Sequence, residues 1–565
     1  QQVTLCLLLR QQLTFYQFLG KQQLTSYQIS SHFNNKSLKL MLFYRQVAPK
    51  RLARYDVVVT TYGTVQSEVS KVLPEPEGKK SNRLDDLKPL DLDNIDTKDA
   101  ILLNIIWERI ILDEAHQIRN PVAKTSKAVS RIRASKRWAV TGTPIQNEEK
   151  DMFSLIRFLR CAPFDEYGVW KQWVDKSPMG QARMNTLVKS LLLRRTKDQK
   201  SSVTGDNIVP LPPKETVMHE IKLKDEERKV YEEVFSFSKQ AMTSYMKKHE
   251  QKKSDEDYIK SITSNEYKYK HEEYKQGEAE VEMGKKFNDG SEIKAHHLLV
   301  LLLRLRQICN HPGLIKSMLD DEAKANEGLE KASDADTDDL LNQMSRMSIG
   351  HFKEKHKENE DPEEDLKKKI LDADNPVFRE KRASSKIETV IEALEELRKK
   401  RNDTGVIEKA VIVSQWTSML LIIKNHVKNL GFKVTEINGQ VPVKLRGGIV
   451  EDFNRKNGGA EVMLLSLGAG GVGLNLVGAN HLFLLDMHWN PQLEAQACDR
   501  IYRVGQVRDV TIHKFLTEDT VESRILELQN KKLDLANSVL TGAKRTGGNK
   551  LTMEDLKMLF DLNRK

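Results

Sequence analysis

Cysteine is scarce in this 565-residue chain, and its spacing excludes the common uses of the residue. The four cysteines form no Cys-x-x-Cys pair; they are Cys6, Cys161, Cys309 and Cys498. Cysteines this far apart do not build a disulfide framework, and they argue against a zinc ribbon or a RING module. We therefore expect no bound zinc and a reducing compartment, nuclear or cytosolic.

Long apolar runs are also missing. No stretch reaches the roughly 18 apolar residues that a membrane-spanning helix needs, so we expect no membrane partner.

Lysine and arginine outnumber aspartate and glutamate by 91 to 81, which gives a formal net charge of +10. That excess suits a nucleic-acid partner, although many basic proteins bind none.

The third absence concerns nucleotide chemistry. The chain has no G-x-x-x-x-G-K-[ST] segment, the loop that cradles phosphates in P-loop nucleotide hydrolases. The glycines that precede residue 113 are Gly20, Gly63 and Gly78, and none fits that pattern. Because the chain also opens with Gln1, we expect a fragment or an altered gene product whose first nucleotide-binding lobe is incomplete.

Apolar, β-branched runs alternate with helical segments in two regions, which predicts an α/β protein with two parallel-sheet lobes and helical insertions. In the first region the expected strands are Ser37–Phe43, Asp56–Tyr62, Ile110–Leu112 and Trp138–Thr141. In the second region they are Ala410–Ser414, Lys433–Ile437, Val462–Ser466, Ala479–Asp486 and Val510–Phe515.

Composition changes along the chain predict the domain boundaries. Leucines and aromatics at three- and four-residue spacing favour helices after residue 150, and runs rich in lysine, glutamate and aspartate bury little apolar surface. We expect a partial first lobe over 1–160 (with 1–30 unassigned), a helical insertion over 161–318, a charged linker over 319–385, a second lobe over 386–535 and a helical tail over 536–565.

A DEAH tetrapeptide, Asp113 to His116, directly follows the apolar run 107–112. Two carboxylates at the end of a buried strand are how nucleotide-hydrolysing folds hold magnesium and orient a water. Asp113 would hold the metal through water, and Glu114 would polarise the attacking water. The alternative is a pair of solvated acids at a strand end.

A second motif, Thr141-Gly142-Thr143, ends the next expected strand. Its position beside the acidic strand suggests that His116 couples the two. The same turn also suits a plain helix start, with Thr143 as the cap and proline at the first helical position.

Two further features lie in the second region. The glycine-rich segment Ser466–Asn475 allows a phosphate to approach the backbone closely, or it is a plain turn. Arg500 and Arg503 are spaced i, i+3 at the end of the expected helix Gln492–Tyr502, so they would share one helical face. Paired arginines usually form surface ion pairs, but here they are candidates for arginine fingers.

Together these segments resemble the SWI/SNF-type helicase-like ATPases, double-stranded-DNA translocases of helicase superfamily two. The matching segments are DEAH, TGTPIQN, VIVSQW, SLGAGGVGLNL and QACDRIYRVGQ. Others are similar to the branch that contains lodestar and transcription termination factor 2: FLRCAPFDEYGVWKQWVDK, LLLRRTKDQ and LRLRQICNHPGLI. The related RING-bearing repair branch needs a cysteine–histidine cluster that this sequence lacks.

The resemblance implies two RecA-like lobes with ATP and magnesium between them and duplex DNA across both. It also implies a protein of the nucleus, with the cytoplasm as a second location, that releases RNA polymerase II and its transcript from DNA. The implied nucleotide-binding residues are Gly471, Gly473 and Gln496. The implied DNA-binding residues are Thr60, Thr61, Ser414, Gln415, Trp416 and Ser466.

Two alternatives remain open. A truncated form could bind DNA or polymerase without hydrolysing ATP. A DEAH-type RNA helicase is the other alternative, although QACDRIYRVGQ and the lysine-rich helices between the lobes argue against it.

We expect residues 1–565 alone not to hydrolyse ATP, with or without DNA. Asp113 and Glu114 can position metal and water, but neither replaces a loop that holds the β- and γ-phosphates. A phosphate-release assay on the purified chain tests this. Hydrolysis that disappears in Glu114→Gln would contradict it.

Overall fold

The computed structural model describes most of the chain and contains two β-sheets. The described residues are 5–8, 40–43, 49–52, 54–72, 100–142, 149–175, 179–197, 199–201, 203–263, 295–316, 370–371, 375–405, 407–456, 458–470, 473–541 and 553–562. The two sheets have five and six strands, with helices packed around them. The predicted α/β architecture is confirmed.

The first sheet has the strand order β2-β3-β1-β4-β5. Its strands are β1 (Leu5–Leu8), β2 (Leu40–Leu42), β3 (Val57–Thr60), β4 (Trp107–Leu112) and β5 (Ala134–Ala139). β2 runs parallel to β3, and β4 runs parallel to β5. Buried Val58, Ile110 and Leu112 place the strand interiors in the core of this lobe.

Residues 1–30, which the sequence leaves unassigned, contribute one strand to this sheet. Leu5–Leu8 forms β1, which lies between β3 and β4 and pairs with both in an antiparallel direction. The sheet is therefore mixed. The sequence signal is a run of four residues, too short to separate a strand from a helix by periodicity.

Helices of the first region pack on this sheet and its edges. They are α1 (Pro49–Leu52), α2 (Tyr62–Ser70), α3 (Lys124–Arg131), α4 (Glu149–Leu159), α5 (Tyr167–Trp170) and α6 (Gly180–Leu191). Thr61 caps α2, because its hydroxyl accepts a hydrogen bond from the Thr64 amide at 3.1 Å.

The second sheet is parallel throughout, with the strand order β6-β11-β10-β7-β9-β8. Its strands are β6 (Lys214–Ile221), β7 (Ala410–Ser414), β8 (Val434–Ile437), β9 (Val462–Ser466), β10 (His481–Leu484) and β11 (Val510–Thr517). β6 lies in the region for which the sequence predicts a helical insertion. The sheet thus recruits a strand from outside 386–535.

Successive side chains of the central strands point to opposite faces, and both faces are covered. Ile412 belongs to one buried cluster, whereas Val411 and Val413 belong to the other. This explains the continuous apolar runs of β7 and β9, because strands buried on both sides need no polar alternation.

The helices of the second region cover this sheet. They are α7 (Asp225–Thr263), α8 (Ala295–Asn310), α9 (Ser385–Thr404), α10 (Thr417–Asn429), α11 (Val443–Asn454), α12 (Leu467–Gly470), α13 (Pro491–Cys498), α14 (Val521–Thr541) and α15 (Met553–Leu559). A buried ion pair ties α9 to α14: Lys386 Nζ lies 2.8 Å from Glu522 Oε2.

Three histidines form a hydrogen-bonded chain across neighbouring strands of the second sheet. His219 Nε2 lies 3.0 Å from His513 Nδ1, and His513 Nε2 lies 3.1 Å from His481 Nδ1. The chain ends where His481 Nε2 lies 3.1 Å from Glu408 Oε2. Burial lowers the pKa of all three rings, and for His513 the neighbouring histidines add to the effect and lower it to about 3.

These rings make stability depend on pH. The histidine pKa is about 6.5 in an unfolded chain, so the unfolded state takes up protons first as pH falls from 6.5 towards 3. We expect the free energy of unfolding to decrease over that window, with His513 contributing about 2 kcal/mol between pH 6.5 and 5. Urea denaturation at pH 7 and pH 5 measures the loss.

The variant His513→Phe keeps a ring against Phe483, whose centroid lies 4.5 Å away, and it removes the titrating group. It should lose less stability on acidification than the unmodified chain. His426→Phe on α10, outside the histidine chain, is the matched control. An equal loss in His513→Phe and the unmodified protein would rule out His513 as the source.

Candidate nucleotide and nucleic-acid site

The acidic tetrapeptide lies at the carboxyl end of β4. Asp113 follows the strand directly, and its backbone carbonyl accepts a hydrogen bond from the Tyr62 hydroxyl at 3.0 Å. Glu114 adopts a left-handed conformation with φ of 47°. Its amide donates to Asp113 Oδ1 at 3.0 Å, so a tight turn presents the two carboxylates together.

The charges around Asp113 suit a cation. Burial and the neighbouring Glu114 carboxylate raise the pKa of Asp113, while His116 and Arg500 oppose the rise. Oxygen ligands are those that magnesium prefers. Two adjacent carboxylates in a partly buried turn therefore fit a hydrated divalent ion, which would relieve their mutual repulsion.

His116 lies between the acidic turn and the next strand end. Its Nδ1 atom is 3.4 Å from Thr141 Oγ1 and 3.3 Å from Glu114 Oε2. The histidine predicted to couple the two motifs thus contacts one residue of each. Gly142 is exposed beside Thr141, and Thr143 lies outside the described residues.

The prediction that Arg500 and Arg503 share a helical face was wrong. Helix α13 ends at Cys498, and both arginines lie in the turns that follow it. The reason is tertiary hydrogen bonding: the Arg500 carbonyl accepts from the Leu476 amide at 3.0 Å, and Arg503 Nη1 donates to the Leu474 carbonyl at 3.4 Å. These bonds hold the arginine segment against the end of the glycine-rich segment and the residue that follows it.

Arg500 nevertheless lies near enough to the acidic turn of the first lobe for their charges to interact. Burial lowers the pKa of Arg500, and the charges of Glu114, Asp499 and Asp113 act in the opposite direction. For Arg503, burial and the charge of Arg500 lower the pKa, while Asp499 opposes them. The two lobes thus bring one arginine of the second to the two carboxylates of the first.

Lys197 holds the arginine turn from a distant part of the chain. Its Nζ atom donates to Asp499 Oδ1 and to the Tyr502 carbonyl, the residues that flank the segment containing Arg500. It also lies 5.1 Å from the centre of the Tyr502 ring. Lys197 belongs to LLLRRTKDQ, so this segment contacts the arginine turn directly.

A buried carboxylate, Asp486, organises the carboxyl ends of β7 and β10. Its oxygens accept hydrogen bonds from the Ser414 hydroxyl and from the amide and side chain of Gln415, the latter two at 3.1 and 3.2 Å. Burial raises the pKa of Asp486 to about 6. The Trp416 amide in turn donates to Ser414 Oγ at 3.0 Å.

Three of the residues expected to bind DNA do not offer their side chains to a ligand in this structure. Thr60 is 1% exposed and donates to the Phe43 carbonyl at 3.0 Å. Ser414 is fully buried on Asp486, and Ser466 is 6% exposed, with its hydroxyl 3.4 Å from the Ala469 amide. The hydroxyls of these three residues form hydrogen bonds with nearby protein groups. Thr61, Gln415 and Trp416 are partly exposed.

The expected nucleotide-binding residues are described in part. Gly473 has a φ of +24°, a conformation that favours glycine, and it is exposed. Gln496 is half-buried on α13. Gly471 lies outside the described residues.

Sequence reasoning missed Asp486, although a signal was available. An acidic residue closing the apolar strand Ala479–Asp486 follows the same pattern as Asp113 after β4. Within the described ranges, no three histidine, cysteine, aspartate or glutamate side chains converge as a metal site. The helices that the structure describes include none with the length and apolarity to cross a bilayer.

Comparison with known proteins gives two domain matches. The SNF2-related domain matches residues 4–314, and the helicase conserved C-terminal domain matches residues 385–505. Transcription termination factor 2 of Drosophila melanogaster is 44% identical over 539 residues, covering 92% of this chain and 47% of that protein. The human helicase-like transcription factor is 31% identical over 569 residues, covering 91% of this chain and 49% of that protein.

Two solved structures are also similar. The Sulfolobus solfataricus SWI2/SNF2 ATPase core in complex with double-stranded DNA is 22% identical, covers 92% of this chain and 81% of its own, and has a TM-score of 0.32. The C-terminal part of the Fun30 ATPase domain is 21% identical, covers 62% and 98%, and has a TM-score of 0.36.

The chain spans about half the length of the curated relatives that it matches. The first domain match alone covers more than half of the 565 residues. Both the domain matches and the similarity to transcription termination factor 2 confirm the resemblance predicted from the sequence motifs. The chain belongs to the SNF2-related family of helicase-like ATPases.

Proposed function

We propose that this chain is the motor part of an ATP-dependent double-stranded-DNA translocase. The observation that carries the proposal is that Arg500, from the second lobe, lies near enough to Asp113 and Glu114, from the first, for their charges to interact. This pairing suits a nucleotide site, because the carboxylates would hold magnesium on one side of a transferred phosphate and the arginine would stabilise its charge from the other.

Each group has a distinct role in this proposal. Glu114 orients and polarises the attacking water, and Asp113 holds the hydrated magnesium ion. Bound magnesium would neutralise charge on the β- and γ-phosphates of the substrate ATP. Arg500, with Arg503 beside it, stabilises charge on the γ-phosphoryl group. His116 couples the acidic turn to Thr141, because it contacts both Glu114 and Thr141.

Duplex DNA is the second substrate in this proposal. Support comes from the net charge of +10 and from the partly exposed Thr61, Gln415 and Trp416 beside the carboxyl ends of β3 and β7. Tracking along phosphates gives little sequence specificity and a strong salt dependence. The domain matches support a DNA-tracking motor.

The finer proposal concerns the biological role. Similarity over 92% of this chain to a protein named transcription termination factor 2 supports the release of RNA polymerase II and its transcript, in the nucleus. The competing proposal is a non-catalytic module that binds DNA or polymerase, and the missing phosphate loop favours it. A DNA-stimulated phosphate-release assay on a longer version that carries such a loop decides between them.

In such a longer version, Glu114→Gln should leave ATP binding intact and lower DNA-stimulated hydrolysis by about 10²-fold or more, because the amide cannot accept a proton from water. Turnover at saturating duplex DNA and equilibrium nucleotide binding measure the two effects. Turnover equal to that of the parent protein would remove Glu114 from its role.

Arg500→Ala should lower hydrolysis by roughly 10³-fold, as expected for an arginine finger, with little change in DNA affinity. Arg503→Ala should have the smaller effect, because the acidic turn acts on Arg500. Arg508→Ala is the matched control, since Arg508 donates to backbone carbonyls of the second lobe, among them that of Ile407. If Arg500→Ala abolishes DNA binding while turnover per bound complex survives, Arg500 is a DNA anchor.

A further inference from the structure

Arg306 is the most deeply buried arginine beside the predicted DNA-contacting segment of the second lobe. It lies on α8, a helix that precedes the second lobe in sequence, and it is 1% exposed. Its guanidinium lies 4.9 Å from the ring centre of Trp489 and 5.8 Å from that of Trp416. It therefore connects α8 to the residues that follow β7 and β10.

The hydrogen bonds of Arg306 reach the same place. Its Nη2 atom donates to the Met487 carbonyl, directly after Asp486. Asp486 in turn holds both the amide and the side chain of Gln415. The guanidinium thus lies over the ring of Trp416. Its hydrogen bond to the Met487 carbonyl lies next to Asp486, which in turn holds Gln415.

The electrostatics indicate that packing alone does not explain an arginine here. Its Nη1 atom is buried with no hydrogen-bond acceptor among the described residues. Burial lowers the pKa of Arg306, and the nearby charges that oppose this are those of Asp486, Glu522, Cys309 and Glu494. An apolar side chain of similar volume would fill this space without the desolvation cost of a buried charge.

The planar shape of guanidinium supplies what an apolar side chain does not. It stacks against an indole while donating in its own plane, so it fixes both the distance and the tilt of the ring. Trp416 Nε1 is itself buried without an acceptor among the residues that the structure describes, so hydrogen bonding by this atom does not set the ring orientation.

We propose that Arg306 is a positioning residue that holds Trp416 and Gln415 in the orientation in which they contact DNA. The proposal rests on the proposed function, because it assumes that these two residues face a nucleic acid. Since Arg306 belongs to α8, this helix controls the DNA-contacting edge of the second sheet. Arg306 itself does not touch DNA.

The test uses the 565-residue chain and a short fluorescent DNA duplex, with affinity measured by anisotropy over a series of KCl concentrations. Arg306→Met should weaken binding about tenfold at fixed salt while the slope of log affinity against log salt stays unchanged. A direct phosphate contact would instead reduce that slope by about one. Such a reduction, or unchanged affinity, would overturn the proposal.

Arg304→Met is the matched control, because Arg304 lies on the same helix and donates to Gln307 Oε1 at 2.8 Å. It should bind DNA within about twofold of the parent chain. Arg306→Lys keeps the charge and loses the planar stack, so it should remain weaker than the parent. Full recovery by lysine would show that charge alone suffices and would contradict the proposed stacking.

The tryptophan emission spectrum provides a second test, which does not depend on DNA. Arg306→Met should change the emission spectrum, and the change should vanish in a Trp416→Phe, Trp489→Phe background. If Arg306→Met does not fold, Trp489→Leu removes the nearer ring from the guanidinium without changing a proposed DNA contact, and it should reproduce the loss of affinity. A parent chain that binds no duplex would refute the proposed function alone, while an unchanged spectrum would refute the stacking.

Discussion

The buried carboxylate of Asp486 is the constraint around which the second lobe is organised. It closes β10 and accepts hydrogen bonds from Ser414 and Gln415 at the end of β7, so it fixes two strand ends relative to each other. Its charge is balanced through space by Arg306 from α8 and Lys386 from α9. One side chain therefore links four elements: β7, β10, α8 and α9.

The strand-end carboxylates of the first lobe have different surroundings from Asp486. These carboxylates, Asp113 and Glu114, are partly exposed, and Arg500 approaches them from the other lobe. A buried acid that is satisfied inside its own lobe stabilises structure. A pair of acids that is at least partly exposed, in contrast, remains accessible to a ligand.

Much of the architecture could be predicted from the sequence, because strands buried on both faces leave a clear signal. The expected bounds of Ala410–Ser414 and Val462–Ser466 are those observed. The order of the motifs along the chain was enough to predict that the DEAH segment and the arginine segment belong to one site. The position of Arg500 outside a helix could not be predicted, because hydrogen bonds to residues 474–476 override the local helical pattern.

Other features depend on partners that the sequence does not reveal. Ser414 lies where a DNA contact was expected, but a carboxylate more than seventy residues later captures its hydroxyl. The three histidines of the second sheet have no common spacing, and only the order of β6, β11 and β10 brings their rings together. Arg306 is one of two arginines in its helix, and only its burial and its contacts with two tryptophans distinguish it from Arg304.

The pairing of β6 with β11 has a consequence for how this protein tolerates changes in length. Lys214 and Val510 are partners in one register although most of the second region lies between them. The entropy lost on closing such a loop grows only with the logarithm of its length, so doubling a flexible stretch costs about 0.6 kcal/mol. Long, polar insertions between β6 and β7 therefore leave the second sheet almost as stable, whereas deletion of β6 itself would uncover the hydrogen-bonding edge of β11.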